Sequence, residues 1–145
     1  MKNFVNLLII LFVFASCNQK NNLKLHQEIE GTWKMISAEI IENDSLKLKD
    51  LSNTTFIKII NKSHFSFFNQ EKGGTQNFYS GAGVYQLKDN NYTETLEFTT
   101  VEAIKNHQFS FQIDIKGDTL IQSGIEKVEA AGINRAIVEK YIKLK

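Results

Sequence analysis

From Gly31 onward, apolar and polar side chains alternate with a period of two, in short segments separated by Gly, Asn, Asp and Lys. No stretch keeps a helical period for longer than about three turns. Such a pattern builds strands with one face buried and one face wet, so the chain is expected to be all-β. Strands are predicted at about 32–42, 54–61, 63–70, 78–88, 91–100, 107–116, 118–124 and 135–144. Asn61-Lys62, Asp89-Asn90-Asn91 and Gly117-Asp118 are tight links that tolerate positive φ and favour sequential antiparallel neighbours. Eight such strands predict an up-and-down antiparallel β-barrel.

The longer connections, Asn43 to Asn53 and Glu71 to Thr75, are expected to shape a barrel mouth. Val101 to Lys105 and Leu23 to Ile29 suit short helical turns capping barrel ends. Gly81-Ala82-Gly83 inside a strand is expected to mark a bulge or tight bend. With 145 residues and no second periodic pattern or repeat, one domain is expected.

The first residues carry a different signal. Met1-Lys2-Asn3 is a short positive start, Phe4 to Phe14 is apolar apart from Asn6, and small Ala15 and Ser16 precede Cys17, the sole cysteine. Eleven residues at about 1.5 Å each span roughly half a bilayer's hydrocarbon, so this reads as a signal peptide over 1–16. Phe14-Ala15-Ser16-Cys17 resembles the lipobox of bacterial lipoproteins, with phenylalanine where leucine is usual. That resemblance implies diacylglycerol on Cys17 and cleavage before it. A membrane is thus the expected partner, with two or three acyl chains as anchor. Asn18 after the cysteine implies outer-membrane sorting, facing the periplasm, with the cell surface as the other location. Residues 17–30 are read as lipidated cysteine, tether and cap, and 31–145 as the barrel domain.

Lys2 is the only charged side chain before Cys17, leaving 16 basic against 16 acidic side chains afterwards. A neutral domain argues against nucleic acid as a partner. One cysteine rules out an intrachain disulfide. His26, His64 and His107 lie on separate elements without metal-ligand spacing, so neither metal nor cofactor is expected. No nucleophile elbow, phosphate loop or metalloprotease helix is present. Asn43, Asn53, Asn61 and Asn91 head N-x-[ST] sequons by chance, while Asp44-Ser45-Leu46 and Asp118-Thr119-Leu120 resemble an O-glycosylation motif of some exported bacterial proteins.

Gly31-Thr32-Trp33 at the first strand has the glycine-x-tryptophan signature of lipocalins and other calycin barrels. Together with Ser63-His64-Phe65, Gly83-Val84-Tyr85-Gln86-Leu87, Asn91-Tyr92-Thr93-Glu94 and Lys116-Gly117-Asp118-Thr119-Leu120, it resembles a group of bacterial lipocalin-like lipoproteins over nearly the whole mature chain. The resemblance implies a lipocalin-like barrel whose tryptophan packs at a closed end under a cation of the last strand. Gly31, Trp33, Tyr141 and Lys143 are the implied barrel-closing residues, with Arg135 as the alternative cation.

Alternation also assigns an interior. His107, Phe109, Phe111, Ile113 and Ile115 share one face of their strand. Tyr92, Glu94, Leu96 and Phe98 share the inward face of theirs, leaving Thr93, Thr95, Glu97 and Thr99 to water. Glu94 among aromatics needs a partner such as His64, Tyr85 or Lys143. His64, Tyr85, Tyr92, Glu94, Phe109 and Phe111 are the ligand-pocket candidates, although a plain hydrogen-bond network explains the polar members equally, and the face of His64 is open. Three readings follow: a binding module for a small apolar or amphipathic ligand, an interaction scaffold with a filled barrel displaying loops 43–53 and 71–77, and an enzyme using Glu94 and His64 as acid and base.

Overall fold

The computed structural model describes residues 24–145. The expected signal peptide, lipidated Cys17 and tether lie outside the described residues. Nine strands run in chain order: β1 Gly31–Glu42, β2 Ser45–Leu48, β3 Thr54–Ile60, β4 His64–Glu71, β5 Tyr79–Lys88, β6 Asn91–Thr99, β7 Gln108–Lys116, β8 Thr119–Val128 and β9 Ile133–Lys143. Every neighbouring pair is antiparallel, and β1 also pairs with β9. β1 and β3 to β9 therefore close into an eight-stranded barrel, which leaves no open edge in the ring. This is the up-and-down all-β architecture expected from the alternation.

β2 corrects the reading of 43–53 as a plain loop. Asn43 and Asp44 both have positive φ and join Glu42 to Ser45 in a two-residue hairpin. β2 then lies along the far half of β1, outside the ring, with all four residues exposed. β8 likewise runs four residues past its predicted end, pairing with β9 up to Val128 and Ile133.

β5 and β6 change register between Ala82 and Gly83: Gly83 faces Leu96 whereas Ala82 faces Phe98, so Glu97 is the extra residue of a bulge. A Cβ on Gly83 would sit 1.9 Å from the Thr95 carbonyl oxygen. The bulge reverses the alternation beyond it. Phe98, expected inside, is 67% exposed, and Thr99, expected outside, lines the interior.

Residues 24–29 form a helical turn and Glu102–Ile104 a 3-10 turn, at the two predicted cap positions; Glu129–Ala131 adds a second 3-10 turn. The first of these plugs one barrel end. Ile29 is fully buried, its carbonyl accepts a 2.8 Å hydrogen bond from the Trp33 indole, and His26 Nε2 lies 3.1 Å from the Leu87 carbonyl oxygen. Lys143 Nζ lies 4.9 Å from the centre of the Trp33 ring and donates to the Glu28 carbonyl at 3.0 Å. Gly31, with φ of 145°, makes room for that lysine, since a Cβ there would meet Lys143 Cε at 2.6 Å. Arg135 stands elsewhere, paired with Glu126 at 2.6 Å.

Candidate functional site

Beyond this packed end the barrel is hollow. A cavity of ≈ 380 Å³ opens toward the other end, within the range of small-molecule pockets. Its walls are largely apolar: Ala38, Ile40, Phe56, Phe67, Leu96, Phe109, Phe111 and Ile137. Thr100, Val101 and Ile104 from the β6–β7 connection, Lys49, Tyr79 and Ile133 line its mouth. Lys49 Nζ donates to the Tyr79 hydroxyl at 2.6 Å and stands 5.1 Å from the Phe56 ring centre, linking two sides of that rim.

The floor is polar and enclosed. Lys58 on β3 and Glu94 on β6 are 2% and 5% exposed and form an ion pair across the interior. Lys58 Nζ also donates to Gln122 Oε1 on β8 at 2.8 Å. Gln122 Nε2 donates to Glu139 Oε2 on β9 at 3.3 Å, and the Tyr141 hydroxyl donates to the same oxygen at 2.6 Å. The ammonium lies 5.4, 5.7 and 5.9 Å from the ring centres of Tyr92, Phe65 and Tyr141. Those distances are within cation–π range. One buried network thus joins β3, β6 and the neighbouring pair β8 and β9 across the barrel, which offsets part of the desolvation of its charged members.

Burial raises the Glu139 pKa, and the carboxylates of Glu126 and Glu94 add to the rise; Lys58 and the Tyr141 hydrogen bond oppose it. Tyr141 is pushed well above the ordinary phenol value, first by burial and then by Glu139. Tyr92 shifts the same way through burial and then Glu94.

Of the ligand-pocket candidates, Glu94, Phe109 and Phe111 line the cavity, and so does Tyr141, which the resemblance assigns to barrel closing. Tyr92 and Tyr85 belong to the packing outside its lining, with rings 5.1 Å apart, and the Tyr85 hydroxyl donates to the Asn61 carbonyl in the β3–β4 turn. Burial, then the Glu30 charge, raises the Tyr85 pKa. His64 joins none of them. Phe65 and Phe67 take the inward face of β4, leaving His64 exposed with Nδ1 2.8 Å from the Ser63 hydroxyl. The Glu94 partner is accordingly Lys58, not His64, Tyr85 or Lys143, and a Glu94/His64 acid–base couple has no shared interior.

Lys58, Gln122 and Glu139 were not among the sequence candidates. A signal was available: each lies two residues from large apolar side chains on the same strand face, as in Phe56-x-Lys58-x-Ile60 and Ile137-x-Glu139-x-Tyr141. Among the described residues no group of His, Cys, Asp and Glu is arranged to hold a metal ion. No helix among them is long and apolar enough to cross a membrane. No curated protein matches this chain. Residues 28–145 do match the family model described as Domain of unknown function (DUF4488), and the chain belongs to that family.

Proposed function

We propose that this is a lipocalin-like binding module that holds a small amphipathic ligand in the barrel, tethered by lipid on Cys17 to the periplasmic face of an outer membrane. The observation that carries the reading is the single-ended cavity with apolar walls and a buried polar floor. At roughly 30 Å³ per small group, ≈ 380 Å³ suits a ligand of about a dozen heavy atoms. Gly31, Trp33 and Lys143 at the plugged end support the lipocalin kinship, since they occupy the places that the resemblance assigns to closing residues.

The chain enters the barrel at that plugged end. On this reading the lipid on Cys17, close in sequence to that end, brings the plugged end nearer the bilayer than the mouth. Ligand exchange then takes place on the aqueous side. Native mass spectrometry of the full chain, combined with titration of a small uncharged solvatochromic dye, tests the module. A retained small molecule or saturable fluorescence displaced by an alkyl amphiphile is expected; an empty protein that binds no probe overturns the reading.

A further inference from the structure

We infer that the cavity floor selects a ligand with a cationic head, an alkylamine or its like, over an anionic one. The inference rests on the binding reading above and narrows its ligand class. Fatty-acid-type ligands would bring a carboxylate to this floor, and the charges there are arranged against it.

The floor has one cation and two carboxyl groups. Lys58 is engaged by Glu94 and by the Gln122 carbonyl, so its charge is already answered. Glu139 is not matched by a cation of its own. Its two hydrogen bonds come from neutral donors, Gln122 Nε2 and the Tyr141 hydroxyl, and both end on Oε2. Oε1 is left for a donor from the cavity, which Glu139 lines. The other charged groups in the lining are paired or stand at the rim: Arg135 with Glu126, and Lys49 with the Tyr79 hydroxyl. Once Glu139 is ionised, a guest ammonium fits as the missing counter-charge, whereas a guest carboxylate would add a third like charge beside Glu94 and Glu139. The aromatic wall agrees, because Phe56, Phe67, Phe109, Phe111 and Tyr141 line the cavity, and aromatic side chains suit both a cation and its alkyl body.

The rise in the Glu139 pKa has the same origin: burial, with Glu94 and Glu126 nearby, against the opposing influence of Lys58 and Tyr141. A bound ammonium reverses part of that burden. Amine affinity should therefore climb with pH as Glu139 gives up its proton.

The test uses three short, water-soluble probes of matched chain, n-hexylamine, n-hexanol and hexanoate. Each is titrated into the full chain held in lipid nanodiscs, with empty nanodiscs as the reference. Methyl NMR of Leu96, Ile104 and Ile137 in the cavity lining reads the binding. Hexylamine is expected to bind about tenfold more tightly than hexanoate. Glu139→Gln should bring it down to the hexanol level, and in the unsubstituted protein its affinity should rise with pH while hexanol stays flat. Hexanoate binding as tightly as hexylamine overturns the inference and leaves the binding module standing. An amine preference unchanged in Glu139→Gln overturns the role given to Glu139, and the pH profile decides the same point if that variant does not fold. Cavity methyls that respond to none of the probes overturn both readings.

Discussion

The Lys58 ammonium and the Glu94 carboxylate meet inside the barrel from strands that are not neighbours, with side chains only 3% and 7% exposed. Neither charge has bulk water as an alternative partner. Lys58→Met or Glu94→Leu alone strands the other charge and should cost about 3–5 kcal/mol. The double variant strands neither partner of the pair; Glu139 loses a nearby cation together with a nearby carboxylate, and Gln122 Oε1 is left unpaired, about 1–3 kcal/mol. Urea denaturation of the four proteins checks this: the double variant should be more stable than either single one, and additive losses would show that the pair is not coupled.

At the plugged end, Lys143 both covers the Trp33 ring and bonds the Glu28 carbonyl, so one side chain fixes the helical turn 24–29 onto the barrel. Lys143→Met keeps the packing stem and removes the charge. A loss of about 1–3 kcal/mol is expected from the cation–π contact and the hydrogen bond together. Hydrogen exchange should quicken first in the turn 24–29, before the strands respond.

The sequence carried the barrel because alternation and turn chemistry agree strand by strand. Nine-residue β7 shows it well: Phe109, Phe111 and Ile113 set its inward face between polar neighbours. What alternation cannot convey is a change of its own phase. The bulge at Glu97 reverses the inward face after Leu96, and a second register shift at Ile36 puts Met35 and Ala38 on the same side although three positions apart. The polar floor was half legible for a different reason. Glu94 declared itself by sharing a face with Tyr92 and Leu96, but Lys58 sits between Ile57 and Ile59, which compete for the interior. Only the closed ring, which brings β3 opposite β6, decides that contest.

Gly83 makes the phase reversal open to test. Its missing side chain lets Thr95 and Glu97 backbone atoms crowd the bulge, with 1.9 Å between an added Cβ and the Thr95 oxygen. Gly83→Ala must push two strands apart and is expected to cost about 1–3 kcal/mol or more. Gly74 in the β4–β5 connection has nothing within 4 Å of its added Cβ and no positive φ, so Gly74→Ala should be neutral or slightly stabilising. Equal effects at both sites, measured by thermal unfolding, would refute the bulge as a glycine-dependent feature.

Glu139 links the floor to pH. The groups that act on it are Tyr141 on its own strand, Gln122 and Glu126 on β8, Lys58 on β3 and Glu94 on β6. Its pKa in the folded protein lies above the ordinary 4.5, chiefly through burial, so folding favours the protonated form. Below pH 4.5 both folded and unfolded chains carry that proton and Glu139 contributes its full stability. As pH rises through the folded pKa, the unfolded chain ionises freely while the folded one must bury the charge, and that contribution is lost. Glu139→Gln keeps an acceptor for Tyr141 and never ionises. Its stability relative to the unsubstituted protein should therefore increase across this interval and level off above it, when both are followed by urea denaturation at successive pH values. A difference that stays constant with pH would mean that Glu139 remains as readily ionised inside the barrel as in the unfolded chain.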